Sequence, residues 1–335
     1  MLPQTEKAFS TQTNAAITKF SLSRHLSAEQ KDLLNDVLSF CSAHLSDQSA
    51  LLIIEGAAGT GKSVVLNAIF NAIQTRARSK NPDDPMTGTR NMLLVNHPEM
   101  LKLYRNVAAE TPTLRKADFD RPTTFINRLH KTNQTADIVL VDEAHLLLTR
   151  ADRYNHFQQQ NHLEEILALA RVVVVVFDPL QVLKFKSHWS ADLLDRFKTG
   201  RATKTLHLTT QFRVEAGPEV RHWLDQRAEG HIGKCPQDPG FDLRVYDDCA
   251  QLYDDLKERN NEVGLCRLLS TYDYPYRLDG EDQFIEEGRI HLRWDRSKPD
   301  EKLPWAERPD TTADVGSAYT IQGCDQNYAG VIIVL

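Results

Sequence analysis

The chain has 335 residues, 41% of them hydrophobic and 26% charged, with a formal net charge of −6. This is ordinary for a globular protein of two domains or one large one, with ample apolar material for two cores. The longest apolar run, Val172 to Phe177, is far too short to cross a bilayer, and the N-terminal segment has no apolar signal-peptide core, so no membrane partner is expected. The acidic balance is not that of a dedicated nucleic-acid binder, although local basic tracks would suffice for one. The cysteines, Cys41, Cys235, Cys249, Cys266 and Cys324, form no CxxC pair, which predicts reduced thiols in a cytoplasmic protein and no zinc site.

Residues 1–24 are polar and irregular and read as an N-terminal arm. Ser27 then opens a helix with apolar positions at helical spacing, and Gln30 three residues on completes a capping box. Leu51 to Ile54 is an apolar run that feeds a glycine loop, and Ser63 to Ile73 reads as the following helix. Residues 78–90 are a turn-rich loop, and Met92 to Asn96 is a second strand. Ile138 to Val141 and Val172 to Phe177 are further buried strands. Continuous Val/Ile/Leu runs alternating with helices predict a parallel sheet covered on both faces, in a first α/β domain at 25–212. A second, weaker α/β unit at 213–335 reads as a helix at Glu219 to Arg227, a Gly/Pro-rich stretch at 230–240 and a helix at Ala250 to Arg259. Its strands are expected at Leu243 to Tyr246, Gly264 to Leu269, Ile290 to Trp294 and Gly330 to Leu335. No internal repeat is visible.

Gly56-Ala57-Ala58-Gly59-Thr60-Gly61-Lys62-Ser63 fits G-x-x-x-x-G-K-[ST] at every fixed position, between a strand and a helix. Such a loop turns backbone N–H groups inward to hold phosphates at the helix N-terminus. Lys62 is expected on the β and γ phosphates and the Ser63 hydroxyl on Mg²⁺, which makes ATP and Mg²⁺ the implied cofactors and the first domain a P-loop NTPase core. Val139 to His145 is an apolar strand delivering two acids. Asp142 would hold Mg²⁺ and Glu143 would orient and deprotonate the attacking water. Taken alone, the same residues also read as a strand and an acidic helix cap. His145 either couples the site to the second domain or simply packs.

Five further segments narrow the class: Ser27-Ala-Glu-Gln30, Thr123-Thr124-Phe125, Val176-Phe-Asp-Pro-Leu-Gln181, Leu208-Thr-Thr-Gln-Phe-Arg213, and Val315 to Gly330 centred on Thr320-Ile-Gln322-Gly323. With them the chain resembles superfamily 1 helicases, and more closely the prokaryotic helicase-like ATPases described as having a Schlafen group 3-like DNA/RNA helicase domain, from about Ser27 to Val334. The resemblance implies a RecA-like ATP-binding domain at 25–212 and a second RecA-like domain at 213–335. It also implies that Gln30 reads adenine, that Thr124 in its segment and Thr320 touch the nucleic-acid backbone, and that Gln181 senses the γ-phosphate. Arg213 would stabilise charge on the transferring phosphoryl group. Gln322 would be the polar contact and Gly323 the tight backbone position of the interdomain loop.

Plainer readings stand beside these: a solvated Gln30, helix capping by Thr123, a turn at Asp178-Pro179, a surface salt bridge for Arg213, and a loop between strands at 315–330. Trp223 reads as core, and Trp294, Trp305, Tyr272 and Tyr274 as core or interface more than as base-stacking platforms. The family's later arginine motif has no counterpart before Leu335, so the second domain is expected to be C-terminally incomplete. The expected function is an ATP-dependent helicase or translocase core acting on DNA or RNA, in single-stranded form. The alternatives are an ATP-controlled switch on a protein partner and a non-hydrolysing ATP-binding module.

Overall fold

The structure is a computed structural model and describes residues 26–47, 49–178, 189, 191–212, 216–228, 230–231, 233–275, 281–295 and 301–333. The expected arm at 1–24 lies outside them.

The chain opens with α1 (Ala28–His44), capped as expected: Ser27 Oγ accepts from the Gln30 amide at 3.2 Å and Gln30 Oε1 accepts from the Ser27 amide at 3.1 Å. Then come β1 (Ala50–Gly56), α2 (Lys62–Ala77), β2 (Asn91–Val95), α3 (Pro98–Glu110), β3 (Phe119–Asp120), α4 (Pro122–Thr132), β4 (Ala136–Asp142), α5 (His162–Leu169) and β5 (Ala170–Phe177). After α6 (Ala191–Lys198), β6 (Ala202–Leu208) completes the first sheet. It is six-stranded, ordered β3-β2-β4-β5-β1-β6, and parallel throughout. Side chains alternate across each strand. Leu52 and Ile54 face a core built with Val37, Phe40, Ile69 and Tyr104. Leu51 and Ile53 face a second core with Phe125, Ile126, Leu163 and Trp189. Burial on both faces is why these strands read as continuous apolar runs.

The remaining elements are α7 (Pro218–Ala228), α8 (Cys249–Val263), β7 (Cys266–Ser270), β8 (Gln283–Glu287), β9 (Ile290–Trp294), β10 (Asp314–Gly316) and β11 (Tyr328–Ile332). The second sheet runs β11-β7-β10-β9-β8, with β8 antiparallel to β9 and the other pairs parallel. Ala250 and Leu256 of α8 pack on it with Leu268, Ile285, Trp294 and Val315.

Several expectations are corrected. Leu243 to Tyr246 is not a strand: Val245 is 90% exposed and the segment joins no sheet. β-prone residues alone do not make a strand without a neighbour to pair with. Four strands have no counterpart among those expected: β3 and β10 are only two and three residues long, and β6 and β8 are half-exposed edge strands without a continuous apolar run. Trp223 is half-buried, not core. Its Nε1 donates to the Gly233 carbonyl at 2.9 Å and Arg227 lies over its ring. Trp294 and Trp305 are core, as read. No helix among the described residues is long and apolar enough to cross a membrane.

Candidate functional site

The 56–63 loop leaves the C-terminal end of β1, with Gly59 and Gly61 at φ +87° and +76°. Both lie in the left-handed region that glycine tolerates. A Cβ on Gly56 would meet Thr60 Oγ1 at 2.8 Å and the Leu208 side chain and carbonyl at 3.2 Å, so the loop's first position is also sterically closed to other residues. Lys62 is buried. Its Nζ donates to the Gly56 and Ala57 carbonyls at 2.8 Å each and to Asp178 Oδ2 at 3.2 Å. The ammonium therefore sits inside the loop that would hold phosphates.

Strand order sets what faces the loop. β5 lies between β1 and β4, so the tips of all three converge. Asp142, the last residue of β4, is fully buried. Its carboxylate accepts from the Tyr104 hydroxyl at 2.6 Å and the Glu143 amide at 2.9 Å, and hydrogen-bonds the Ser63 hydroxyl. Burial raises its pKa, and the bonds from Tyr104, Ser63 and the Glu143 amide, with the Lys62 charge, act against that rise. Ser63 and Asp142 were expected on one Mg²⁺ ion, and two neighbouring oxygen donors suit that hard cation.

Glu143 follows in a left-handed conformation, φ +50°, which turns the chain sharply off the strand. A residue with a Cβ held there stores local strain. His145 is buried and its Nε2 lies 3.3 Å from Glu143 Oε2. Burial lowers its pKa to about 4; Asp178 opposes that and Lys62 adds to it, so the ring is neutral at pH 7. It also packs edge-on against Phe177. Packing and proximity to the acid site thus coexist in one residue.

Two segments flank the loop. Gln30 is only 5% exposed, and its Nε2 would lie 2.6 Å from a Cβ on Gly61. It is a loop-facing residue and not a solvated one. Next to it, Glu29 accepts from the Thr209 amide and hydroxyl at 2.8 Å and from the Thr210 amide at 3.2 Å. Gln211 Nε2 donates to the Ala58 carbonyl at 2.6 Å and the Phe212 amide to the Gly59 carbonyl at 2.8 Å. The 209–212 segment is thereby fixed on the phosphate loop, with the Phe212 ring next to Gly61 and 41% exposed. Arg213 and Gln181 lie outside the described residues.

Thr124 is exposed in the first turn of α4. Thr123 does not cap that helix: Arg121 is the N-cap residue, and the Thr123 hydroxyl meets His162 Nε2 at 3.0 Å. Thr320 is buried, its Oγ1 accepting from the Ser317 amide at 2.7 Å and donating to the Ser317 carbonyl at 3.0 Å, so it holds a turn of its own loop. The Gln322 amide atoms are buried without hydrogen bonds among the described residues. Gly323, φ +81°, packs directly on the Met100 thioether of α3.

Sequence reasoning passed over Tyr104, Phe212 and the Lys62–Asp178 pair. Tyr104 has no sequence signal beyond an apolar helix position. Phe212 sits inside a quoted motif without a role assigned to it.

The family profile "Schlafen group 3, DNA/RNA helicase domain" matches residues 49–334. The chain belongs to this family. An uncharacterised protein of Saccharomyces cerevisiae is 43% identical over 338 residues, covering 92% of this chain and 74% of the yeast protein. Among solved structures, the chain is similar to the Pif1 helicase of Candida albicans at TM-score 0.37 and 16% identity, over 71% of this chain and 54% of that one. It is also similar to Bacteroides sp Pif1 in complex with ADP-AlF4, at TM-score 0.32 and 15% identity, over 81% of this chain and 64% of that one. The chain thus spans about half the length of the Candida helicase chain. Membership gives the helicase-like P-loop core its class.

Proposed function

We infer that the protein is an ATP-dependent nucleic-acid motor core that binds and hydrolyses ATP with Mg²⁺. The observation that carries this reading is the meeting of three elements: the 56–63 glycine loop, Asp142 at the end of β4 hydrogen-bonded to Ser63, and the 209–212 segment docked on Ala58 and Gly59. Loop amides and Lys62 would bind the phosphates once Lys62 leaves its carbonyl partners. Bound magnesium would neutralise charge on the β and γ phosphates. Ser63 and Asp142 are the residues to hold it, Glu143 to take the proton from water, and His145 to keep that carboxylate in place. Gln30 and Phe212, both against Gly61, suit the edge and face of an adenine base. Gln181 and Arg213 would act at the γ-phosphate, and Gln322 and Gly323 in the interdomain loop, as the resemblance of their motifs implies. The partner proposed is single-stranded DNA or RNA, with exposed Thr124 among its backbone contacts and Thr320 shaping the second contact loop.

The test is ATP hydrolysis with and without single-stranded DNA and RNA, with Glu143→Gln beside the natural chain. Nucleic acid should raise turnover, and the variant should still bind ATP while losing hydrolysis by about 100-fold or more, the range for a general base. Turnover unmoved by either nucleic acid would end the motor reading. The net charge of −6 favours one alternative, an ATP-controlled switch acting on a protein partner. That reading predicts ATP-dependent protein association without salt-sensitive nucleic-acid binding.

A further inference from the structure

Helix α3 touches both sheets' machinery. On one side Tyr104 reaches across 38 sequence positions to donate to Asp142 Oδ2 at 2.6 Å, and its hydroxyl is also hydrogen-bonded to Ser63. One turn earlier on the same face, Met100 packs against Gly323 of the 317–323 loop. Residues four apart on a helix stack one above the other, so the metal-site carboxylate and this loop address neighbouring positions of one rod. Two polar contacts fasten the same helix to the preceding segment: Glu99 Oε2 accepts from the Trp305 amide at 3.1 Å, and Asn106 Nδ2 donates to the Lys302 carbonyl at 2.8 Å. Glu99 is itself buried and held by Lys102 at 3.0 Å.

The Tyr104 ring is not free to swing. It stacks on Phe119 at 5.6 Å and 16°, and Phe119 in turn meets Phe70 edge-on. With the ring clamped, a movement of Asp142 passes to the helix backbone. A packed helix moves as a body, and packed interfaces shift between discrete arrangements instead of deforming continuously.

We propose that α3 is the link between the metal site and the second sheet, with Tyr104 as the positioning residue for Asp142 and Glu99, Met100 and Asn106 as the contacts that carry its state to residues 301–323. This rests on the ATPase reading above. Tyr104 fixes the rotation of the carboxylate that is to bind magnesium, and the far contacts pass on the shift that binding produces.

The experiment uses the full chain, a fluorescent ATP analogue, magnesium titrated against EDTA, and hydrogen exchange of segment 301–323. In the natural chain, exchange of that segment should change with nucleotide plus magnesium and stay constant with nucleotide alone. Tyr104→Phe keeps the aromatic stack and removes the hydroxyl. It should raise the magnesium concentration at half-saturation by about 10-fold or more, as losing the orienting partner of a metal ligand does, and leave metal-free nucleotide affinity unchanged. The Glu99→Ala/Asn106→Ala pair should keep the natural half-saturation and lose the magnesium-dependent exchange change. The link is refuted if magnesium leaves the segment's exchange unmoved in the natural chain, or if Tyr104→Phe binds magnesium as the natural chain does. If the natural chain binds no nucleotide at all, the ATPase reading itself has failed, and that outcome is told apart by the first titration.

Discussion

Lys62 and Asp178 form an ion pair at 3.2 Å with only 8% and 1% of their side chains exposed. The lysine that the motif assigns to phosphate is thus held by a carboxylate at the tip of the neighbouring strand. On the proposed function, a polyphosphate entering the loop would take over as the counter-charge to Lys62. Asp178 would then act as a placeholder for phosphate; the expected turn at Asp178-Pro179 runs outside the described residues.

Replacing one partner of a buried pair is costly because the other charge stays desolvated. Asp178→Asn should lower the unfolding free energy by about 3 kcal/mol, the lower end for such pairs since two carbonyls remain on Lys62. Saturating ATP with magnesium should restore part of it. Urea titrations with and without nucleotide check this. An equal loss in both conditions would mean that phosphate does not take Asp178's place.

Gln30 performs a capping task and faces the loop with the other end of its amide. Glutamate at the same position keeps the capping oxygen and removes the Nε2 donor. Gln30→Glu places a charge at a buried position, so it should lower thermal stability as well as weaken ATP binding relative to GTP binding. Competition between the two nucleotides at equilibrium is the measurement. A preserved preference for ATP would remove Gln30 from base recognition.

Gly323 is closed to any side chain twice over, by its φ of +81° and by the Met100 thioether on its Cα. Gly323→Ala should cost about 2 kcal/mol or more, from backbone strain of about 1–3 kcal/mol plus overpacking. Met100→Ala alone should cost about 2–5 kcal/mol through its cavity. Combined, the two should cost less than their sum, because the cavity of one accepts the methyl of the other. Strict additivity in denaturant melts would show that the two residues do not meet in solution.

The buried histidines give the protein an acid-side weakness. His162 Nδ1 accepts from the Leu148 amide at 3.0 Å, so that nitrogen must stay unprotonated. Burial lowers its pKa to about 3, with Arg121 adding and Asp152 opposing, while His145 stands at about 4, both below the ordinary 6.5. A folded-state pKa below the unfolded one means that the unfolded chain binds the extra protons. Stability is then fully present above about pH 6.5 and falls as pH drops towards 4 and then 3. Each histidine should contribute on the order of 3 kcal/mol to that loss, at a limiting slope of about 1.4 kcal/mol per pH unit. Thermal melts from pH 7 to 4 test it, and His162→Gln should remove roughly half of the slope between pH 6 and 4. An unchanged slope would place the titration elsewhere.

What was legible in the sequence was local or periodic. The 56–63 loop is specified by contiguous glycines, the α1 cap by residues three apart, and β1, β4 and β5 by uninterrupted apolar runs buried on both faces. β3 and β10 escaped because they are only two and three residues long, β6 and β8 because they are half-exposed edges without a continuous apolar run, and Leu243 to Tyr246 misled because it has strand-like residues but pairs with no strand among the described residues.

The sequence by itself therefore determined the phosphate loop, its flanking elements and the acids at the end of β4, since each follows from neighbours along the chain. Only the tertiary structure decided that Tyr104 would meet Asp142, that Lys62 would meet Asp178 across 116 positions, and that Met100 would lie on Gly323. Those meetings depend on strand order and helix docking, which set distances between residues far apart in the chain and leave no spacing pattern to read.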